Sequence, residues 1–211
     1  MENTIGLPSG AFRKIDTEAD ELFYQEPRFV LHIDDGAIAA LTEFYRGALP
    51  PNGVILDLMS SWVSHLPPEV LYREVVGHGM NAAELAANPR LARYFVQNLN
   101  RNPLLPLPEA SIDAATIAVS IQYLERPVAV LREVARVLRA GSPLVVSFSN
   151  RCFWTKAVAI WRALSDEAHA ALVAGYLREA GFDAVETRRL VEGEEDVADP
   201  MTAVVGRAPA V

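Results

Sequence analysis

The sequence predicts an α/β protein built on a mostly parallel sheet. Short apolar runs that suit buried strands alternate with amphipathic segments that suit helices, which is the pattern of strand–helix–strand units. Only the polar stretch 191–201 separates the last two strand-like segments, so these two are expected to pair antiparallel. The predicted architecture is therefore a seven-stranded mixed sheet, with six parallel strands and the last one antiparallel, and helices on both faces.

The first fifty residues are expected to form an irregular segment and one helix. Residues 1–30 are polar and are interrupted by proline and glycine. The stretch 34–51 then carries an apolar stripe with helical spacing. Asp34 or Asp35 can cap this helix, and Pro50 and Pro51 end it.

The remaining chain alternates between the two kinds of element. The expected strands are short apolar or β-branched runs, at 54–56, 74–79, 93–99, 112–124 with its exit loop, 143–150, 182–190 and 202–209. The expected helices have apolar faces at helical spacing, at 82–88, 126–140, 153–163 and 166–179. Pro127 suits the first turn of the helix expected at 126–140, and Asp166 suits the N-cap of the helix expected at 166–179. Trp154 and Trp161 are seven residues apart, which places both on one helical face and favours the core for both.

Composition excludes several classes of function. The 211 residues suit one domain, 1–211, with 1–50 as an N-terminal lid and 51–211 as the core.

A net charge of −8 makes nucleic acid an unlikely partner. No apolar run approaches a membrane span, and the single cysteine, Cys152, fits a reducing compartment, so we expect a cytoplasmic protein. The four histidines lack metal-ligand spacing, so no metal site is expected.

Polar residues gather where four of the predicted strands end. In open α/β sheets, ligands bind at the carboxyl ends of the strands, near the point where the strand order reverses. The ends concerned are 57–61, 77–81, 97–100 and 120–123, and their polar members are Asp57, Ser60, Ser61, Asn81, Asn98, Asn100, Ser120 and Gln122. The alternative is that these residues only satisfy loop backbone, as Ser, Asn and Asp do in many loops.

The segment 105–150 resembles the class I S-adenosylmethionine-dependent methyltransferases, most closely the methyltransferase type 11 group. The features that carry the resemblance are the leucine- and proline-rich stretch 105–108, the strand start Ile112-Asp113-Ala114, and the helix and turn from Leu131 to Gly141. The resemblance implies a Rossmann-like seven-stranded fold with a reversed last strand. It also implies S-adenosylmethionine as the cofactor. Because the acidic chain disfavours RNA or DNA as the methyl acceptor, we expect a small-molecule acceptor.

The sequence departs from this family where the family holds its cofactor. Aligned on Asp57, the three family glycines correspond to Met59, Ser61 and Val63. Gly79 stands where the family has an acid for the ribose hydroxyls, and Asn98 where it has an acid near the adenine. The resemblance assigns cofactor binding to the residues at these strand ends, namely Asp57, Leu58, Met59, Ser60, Ser61, Gly79, Met80, Asn81, Asn98, Leu99, Asn100 and Ser120.

Expectations for the altered loop follow from its residues. Ser60 or Ser61 can cap a short helix ended by Pro67, and backbone N–H groups there can face a ligand. The missing side chains at Gly77 and Gly79 can make room for Met59 or Trp62, and Asn81 or Glu84 can take over the ribose hydroxyls.

Methyl transfer needs no catalytic triad, and a base is needed only if the acceptor must lose a proton. Candidates for such a base are His32, Tyr24 and Tyr123, although for each of them the interpretation as a packing residue is favoured. By resemblance, Tyr24, Arg28 and His32 line an N-terminal lid over the cofactor.

Two other functions remain open. The altered glycine positions favour a non-enzymatic descendant of the methyltransferase fold that binds a nucleoside or a protein partner. A nicotinamide-binding protein is a weaker alternative, because no G-x-G-x-x-G follows the first strand.

Overall fold

A computed structural model describes residues 6–193 and 198–210. Seven strands form one sheet in the order β3-β2-β1-β4-β5-β7-β6. They are β1 (Val54–Leu58), β2 (Glu74–Gly79), β3 (Arg93–Val96), β4 (Ala114–Ala118), β5 (Pro143–Phe148), β6 (Asp183–Val191) and β7 (Met201–Arg207). Strand β7 pairs antiparallel with both β5 and β6, and the other pairs are parallel. The predicted fold class is confirmed.

Six α-helices accompany the sheet in the described residues: α1 (Asp20–Phe23), α2 (Asp35–Ala48), α3 (Ala82–Ala87), α4 (Pro127–Val137), α5 (Ala159–Ala163) and α6 (Asp166–Glu179). None of the helices that the structure describes is long and apolar enough to cross a membrane. Pro127 occupies the first turn of α4, as predicted. Asp34 caps α2 by accepting a hydrogen bond of 2.7 Å from the Ala37 N–H.

The two faces of the sheet are covered by different helices. On one face, Leu41, Tyr45 and Leu49 of the α2 region pack on inward-facing strand residues such as Ile55 and Val145. The other face packs against the apolar stripes of α4 and α6. Because successive strand residues point to opposite faces, the central strands β1 and β5 are buried on both sides, as their largely apolar sequences require.

The link between β1 and β2 contains no helix, against expectation. Residues 59–73 run as turns and irregular backbone. Strand β1 ends in a loop whose first two N–H groups bond to His78 of β2, so the chain crosses to the neighbouring strand instead of starting a helix. The helix expected to be capped by Ser60 or Ser61 is therefore absent.

Other local expectations also fail. Ser165, not Asp166, precedes α6, and no side chain caps that helix. The helix expected at 153–163 covers only α5, so Trp154 and Trp161 do not share a helical face. Trp161 is 4% exposed and belongs to the core, whereas Trp154 is 57% exposed.

A strap of N-terminal residues is fastened at both ends. At its start, the buried Lys156 ammonium bonds to the Glu18 carbonyl at 2.8 Å and lies 3.1 Å from Asp16 and 3.5 Å from Asp20. At its end, Asp34 and Asp199 exchange hydrogen bonds, each backbone N–H donating to the other carboxylate. The intervening residues 20–34 therefore cross the carboxyl ends of the strands.

Candidate functional site

A cavity of about 350 Å³ lies where the strand order reverses between β1 and β4. Its floor is formed by the carboxyl ends of β1 to β5, and the strap 20–34 forms its roof. This is the position that open α/β sheets use for ligands, and the volume is within the range of small-molecule pockets.

Eleven of the twelve residues predicted to bind a cofactor line this cavity: Asp57, Met59, Ser60, Ser61, Gly79, Met80, Asn81, Asn98, Leu99, Asn100 and Ser120. Leu58 does not. Its side chain is fully buried in the main hydrophobic core, because it follows Asp57 on a strand and so points to the opposite face. The base candidates Tyr24, His32 and Tyr123 also line the cavity, although they come from distant parts of the chain.

The loop after β1 keeps one backbone feature of a glycine loop. Met59, at the first glycine position, has φ +57, which is the left-handed region that glycine adopts without steric cost. Its N–H donates to Nδ1 of His78 at 3.1 Å, and the Ser60 N–H donates to the His78 carbonyl at 2.6 Å. These two N–H groups are therefore bonded within the protein and do not face a ligand.

His78 joins the ends of three strands. While Nδ1 accepts from Met59, Nε2 bonds to the carbonyl of Gln97, just beyond β3, at 2.9 Å. This pattern requires the neutral ring with its proton on Nε2. Burial lowers the pKa of His78 to about 4, which is consistent with a neutral structural link.

The two glycines of β2 make room for different neighbours than expected. A Cβ on Gly79 would lie 2.5 Å from the carbonyl oxygen of Ser60, and a Cβ on Gly77 would lie 2.3 Å from a methyl group of Leu91. The space is thus taken by Ser60 backbone and by Leu91, and not by Met59 or Trp62. Trp62 instead lies near the strap, where its indole N–H donates to the Val30 carbonyl.

Asp57 is buried at the centre of the cavity floor. One carboxylate oxygen accepts from the Ser60 hydroxyl and the other from the Thr116 hydroxyl at 3.1 Å. Burial raises the pKa of Asp57 to about 6, and the hydrogen bonds from neighbouring hydroxyls oppose this rise only in part.

The asparagines at the strand ends bind the strap. The Asn81 side-chain oxygen caps α3 through the Ala83 and Glu84 N–H groups, and its amide donates to the carbonyls of Tyr24 and Gln25. The Asn98 amide donates to Glu21, at 3.0 Å. The Asn100 amide donates to Asp20 and to the Tyr123 carbonyl, at 3.0 Å each. The Asn81 oxygen is thus already used, which argues against its predicted role on ribose hydroxyls.

Glu84 also reaches the cavity and contacts the strap. Its Oε1 accepts from the Arg28 N–H at 2.7 Å, and burial raises its pKa. Since this bond uses only Oε1, Glu84 is better placed than Asn81 to accept from a ligand hydroxyl.

The three base candidates differ in their chemistry. Burial raises the pKa of the Tyr24 and Tyr123 hydroxyls, so both stay protonated near neutral pH. Tyr123 accepts a hydrogen bond of 2.8 Å from the Phe153 N–H. Burial and the nearby Arg28 lower the pKa of His32, which therefore stays neutral and able to accept a proton. Of the three candidates, the direction of the pKa shift thus favours His32.

The sequence did not single out three other residues that line the cavity: His65, Val119 and Arg151. His65 and Val119 have φ +53 and φ +49. Left-handed backbone is unfavourable for non-glycine residues, above all for a β-branched one, and concentrates at functional sites. No sequence signal marks such a conformation. Arg151 follows the end of β5, a position that the strand-end rule could have included.

Three polar atoms on the cavity wall are buried and have no hydrogen-bond partner among the described residues. They are Nη1 of Arg28, Nδ1 of His65 and Oγ of Ser120. Buried polar groups are nearly always hydrogen-bonded in folded proteins. A ligand in the cavity would supply the missing partners. Within the described residues, no group of three or more His, Cys, Asp or Glu side chains could hold a metal ion.

Comparisons with known proteins agree with the fold. Residues 60–146 match the family model described as a methyltransferase domain. No curated protein matches the chain.

Solved structures with the same fold include methyltransferases and an enzyme of another kind. A SAM-dependent methyltransferase from Thermotoga maritima has a TM-score of 0.59 at 18% identity, over 82% of this chain and 90% of that one. An S-adenosylmethionine-dependent methyltransferase from Mesorhizobium loti has a TM-score of 0.56 at 19% identity, over 80% and 97%. The [4+2]-cyclase SpnF has a TM-score of 0.64 at 15% identity, over 91% and 92%.

Proposed function

We propose that this chain, which has the fold of the class I S-adenosylmethionine-dependent methyltransferases and a matching methyltransferase domain, transfers a methyl group to a small-molecule acceptor. The observation that carries the proposal is the cavity at the reversal of strand order, roofed by the strap and lined by unpartnered polar atoms. A solvent-shielded pocket is what a methyl transfer needs from a protein.

The cofactor, when bound, supplies an activated methyl group on a positively charged sulfur. The residues on the cavity floor suit the adenosyl part of such a molecule. Ser61 and Ser120 offer small polar side chains, the second with a buried hydroxyl that lacks a partner among the described residues. Glu84 has a second carboxylate oxygen that can accept from ribose hydroxyls. It would do the work of the acid that the resembling methyltransferases carry at the position of Gly79. Leu99 and Asn98 lie at the third strand, where the family resemblance places the adenine.

The chain's own contribution to transfer is positioning and exclusion of water. Hydrogen bonds from Asn81, Asn98 and Asn100 hold the strap against the carboxyl ends of the strands, so that it covers the cavity. If the acceptor must lose a proton, His32 is the group that accepts it, since it is neutral and lines the cavity.

One observation favours the second candidate, a methyltransferase-fold protein that binds a nucleoside without transferring a methyl group. The N–H groups of Met59 and Ser60 are bonded to His78, so the loop offers fewer donors than a glycine loop. A cyclase is among the similar structures, and one fold commonly hosts several kinds of chemistry.

Ligand-dependent stability tests the proposal directly. Thermal unfolding is measured with S-adenosylmethionine, with S-adenosylhomocysteine and with adenosine, each at millimolar concentration. A ligand at 100 times its dissociation constant stabilises by about 2.7 kcal/mol, so the two cofactor forms should raise the melting temperature by several degrees. A shift with adenosine alone would favour the second candidate, and no shift with any of the three would refute both.

A further inference from the structure

Arg28 places a positive charge in the roof of the cavity. Its backbone N–H donates to Glu84 Oε1 at 2.7 Å, and its Nη2 donates to the Phe23 carbonyl at 2.8 Å. The third contact is missing: Nη1 is buried and has no hydrogen-bond partner among the described residues. The guanidinium is thus bonded through Nη2 and has a buried Nη1 without a hydrogen-bond partner among the described residues.

Three aromatic rings frame this guanidinium. Its Cζ lies 4.5 Å from the ring centroid of Phe23, 5.4 Å from that of Phe153 and 5.9 Å from that of Tyr24. The rings also pack on one another, with Phe23 5.0 Å from Tyr24 and 5.2 Å from Phe153. Ring faces attract a cation but offer no hydrogen-bond acceptor, so the charge is partly desolvated without a full partner.

Among the carboxylates of the cavity, Glu84 accepts from the backbone N–H of Arg28, but none forms an ion pair with the Arg28 guanidinium. None of the ion pairs within 4.0 Å among the described residues involves it. Asp20 is paired with Lys14 at 2.7 Å, and Asp57 is bonded to hydroxyl groups. The other arginine on the cavity wall, Arg151, is bonded to Asp199 at 2.7 Å. Within the described residues, the Arg28 guanidinium therefore has no ion pair within 4.0 Å, although the Glu84 carboxylate contacts the Arg28 backbone.

We propose that Arg28 anchors a subsite for a ligand carboxylate. The inference rests on the proposed function and names the chemistry of one of its ligands, which is either the methionyl carboxylate of the cofactor or a carboxylate on the acceptor. A carboxylate fits better than a phosphate. One unpartnered guanidinium nitrogen suits a single negative charge. A phosphate dianion gathers several donors and cations, and Arg151 is already paired.

Calorimetric titrations of wild type and Arg28→Gln test the subsite. S-adenosylhomocysteine carries the methionyl carboxylate, and 5′-methylthioadenosine lacks it. Benzoate serves as a flat carboxylate that suits an aromatic frame, and benzamide is its neutral counterpart. Both are titrated into free protein and into protein saturated with S-adenosylhomocysteine. Arg178→Gln, an exposed arginine on α6, is the control for loss of one positive charge.

If Arg28 holds the cofactor carboxylate, Arg28→Gln weakens S-adenosylhomocysteine binding at least tenfold and leaves methylthioadenosine unchanged. If it holds the acceptor carboxylate, S-adenosylhomocysteine binding is unchanged and benzoate binding falls at least tenfold, while benzamide binds weakly to both proteins. Either result supports the subsite, provided that Arg178→Gln behaves as wild type. Arg28→Lys keeps a cation and should retain part of the affinity, which covers the case in which the glutamine variant folds poorly.

The subsite is overturned if Arg28→Gln leaves both carboxylates unaffected, if it weakens methylthioadenosine as much as S-adenosylhomocysteine, or if benzamide binds as well as benzoate. Failure of the proposed function has a different signature. In that case neither nucleoside binds the wild type, while benzoate binding to the free protein still reports on Arg28.

Discussion

The carbonyl oxygen of Ser60 lies 2.5 Å from the point that a Cβ on Gly79 would occupy. The ends of β1 and β2 therefore touch backbone to backbone, and the Ser60 N–H reinforces the contact by donating to the neighbouring His78 carbonyl at 2.6 Å. The glycine at this position thus has a steric reason in this chain.

Gly79→Ala should destabilise the protein by about 1–3 kcal/mol, since neither backbone can yield without breaking the contact between the strand ends. It should also weaken nucleoside binding by displacing the loop after β1. Urea unfolding checks the first effect, with Gly175→Ala as the control. Gly175 lies in α6 with nothing within 4 Å of an added Cβ, so that change should stabilise by up to about 1 kcal/mol. Equal effects of the two changes would contradict this account of Gly79.

Met59 should favour glycine over alanine. Both replacements remove the same side-chain packing beyond Cβ, but only glycine removes the steric cost of φ +57. We expect Met59→Gly to be more stable than Met59→Ala by about 1 kcal/mol, which reverses the order usual in helices and strands. Chemical denaturation of the two variants measures this difference. An alanine variant more stable than the glycine variant would show that the left-handed conformation carries no cost here.

Asp57 should make stability fall with rising pH. Burial raises its pKa from 3.8 to about 6, so the unfolded state ionises first. The contribution of protonated Asp57 to the free energy of unfolding is fully present below about pH 4. It is lost as the pH rises to about 6. Because a pKa difference of one between the folded and unfolded states is worth about 1.4 kcal/mol, the whole effect is about 3 kcal/mol.

Asp57→Asn removes this titration, so the stability of wild type relative to the variant should fall between pH 4 and pH 7. Unfolding at several pH values within this window provides the measurement. Asp183→Asn, at an exposed carboxylate, is the control for the loss of one negative charge. A constant difference between wild type and Asp57→Asn would mean that Asp57 is not desolvated.

Asn81→Asp should separate the two roles of this side chain. The carboxylate still caps α3, but it loses both donor bonds to the strap carbonyls of Tyr24 and Gln25. We expect faster tryptic cleavage after Arg28 with little change in global stability. Asn81→Ala loses the cap as well and should cost about a further 1 kcal/mol. Unchanged cleavage in the aspartate variant would show that these bonds do not hold the strap.

Ser120→Ala should weaken S-adenosylhomocysteine binding about fivefold, the loss of one neutral hydrogen bond, without lowering stability. Its hydroxyl lines the cavity and has no partner among the described residues. Ser147, on β5, is also buried but does not line the cavity, so Ser147→Ala serves as the matched control for calorimetry. Equal affinities of wild type and Ser120→Ala would remove this residue from the ligand contacts.

Local patterns were enough to predict the sheet and the edge that carries the site. Apolar runs such as Val54–Leu56 identify buried strands, and the polar residues after them identify the cavity floor, because parallel strands end on one side of the sheet. The irregular link 59–73 was not predictable in this way. Its path depends on His78 and Gly79, which lie far along the chain, and such tertiary contacts override local helix signals.

The roles of the asparagines were also beyond local reasoning. Asn81, Asn98 and Asn100 were correctly placed at the strand ends, but their partners belong to residues 20–25, whose path over the sheet has no signature in sequence. Leu58 differs from the asparagines, because the alternation of successive strand residues is a local rule that places it on the face opposite Asp57 and so in the core.

Because the link between β1 and β2 has no helix of its own, one face of the sheet depends on α2 for its cover. The residues of α2 thus belong to the packed core and do not form a detachable cap. A chain shortened to begin at residue 51 would leave Ile55, Val145 and Val205 facing water. Such an apolar sheet face invites self-association, so that fragment should be recovered as aggregates.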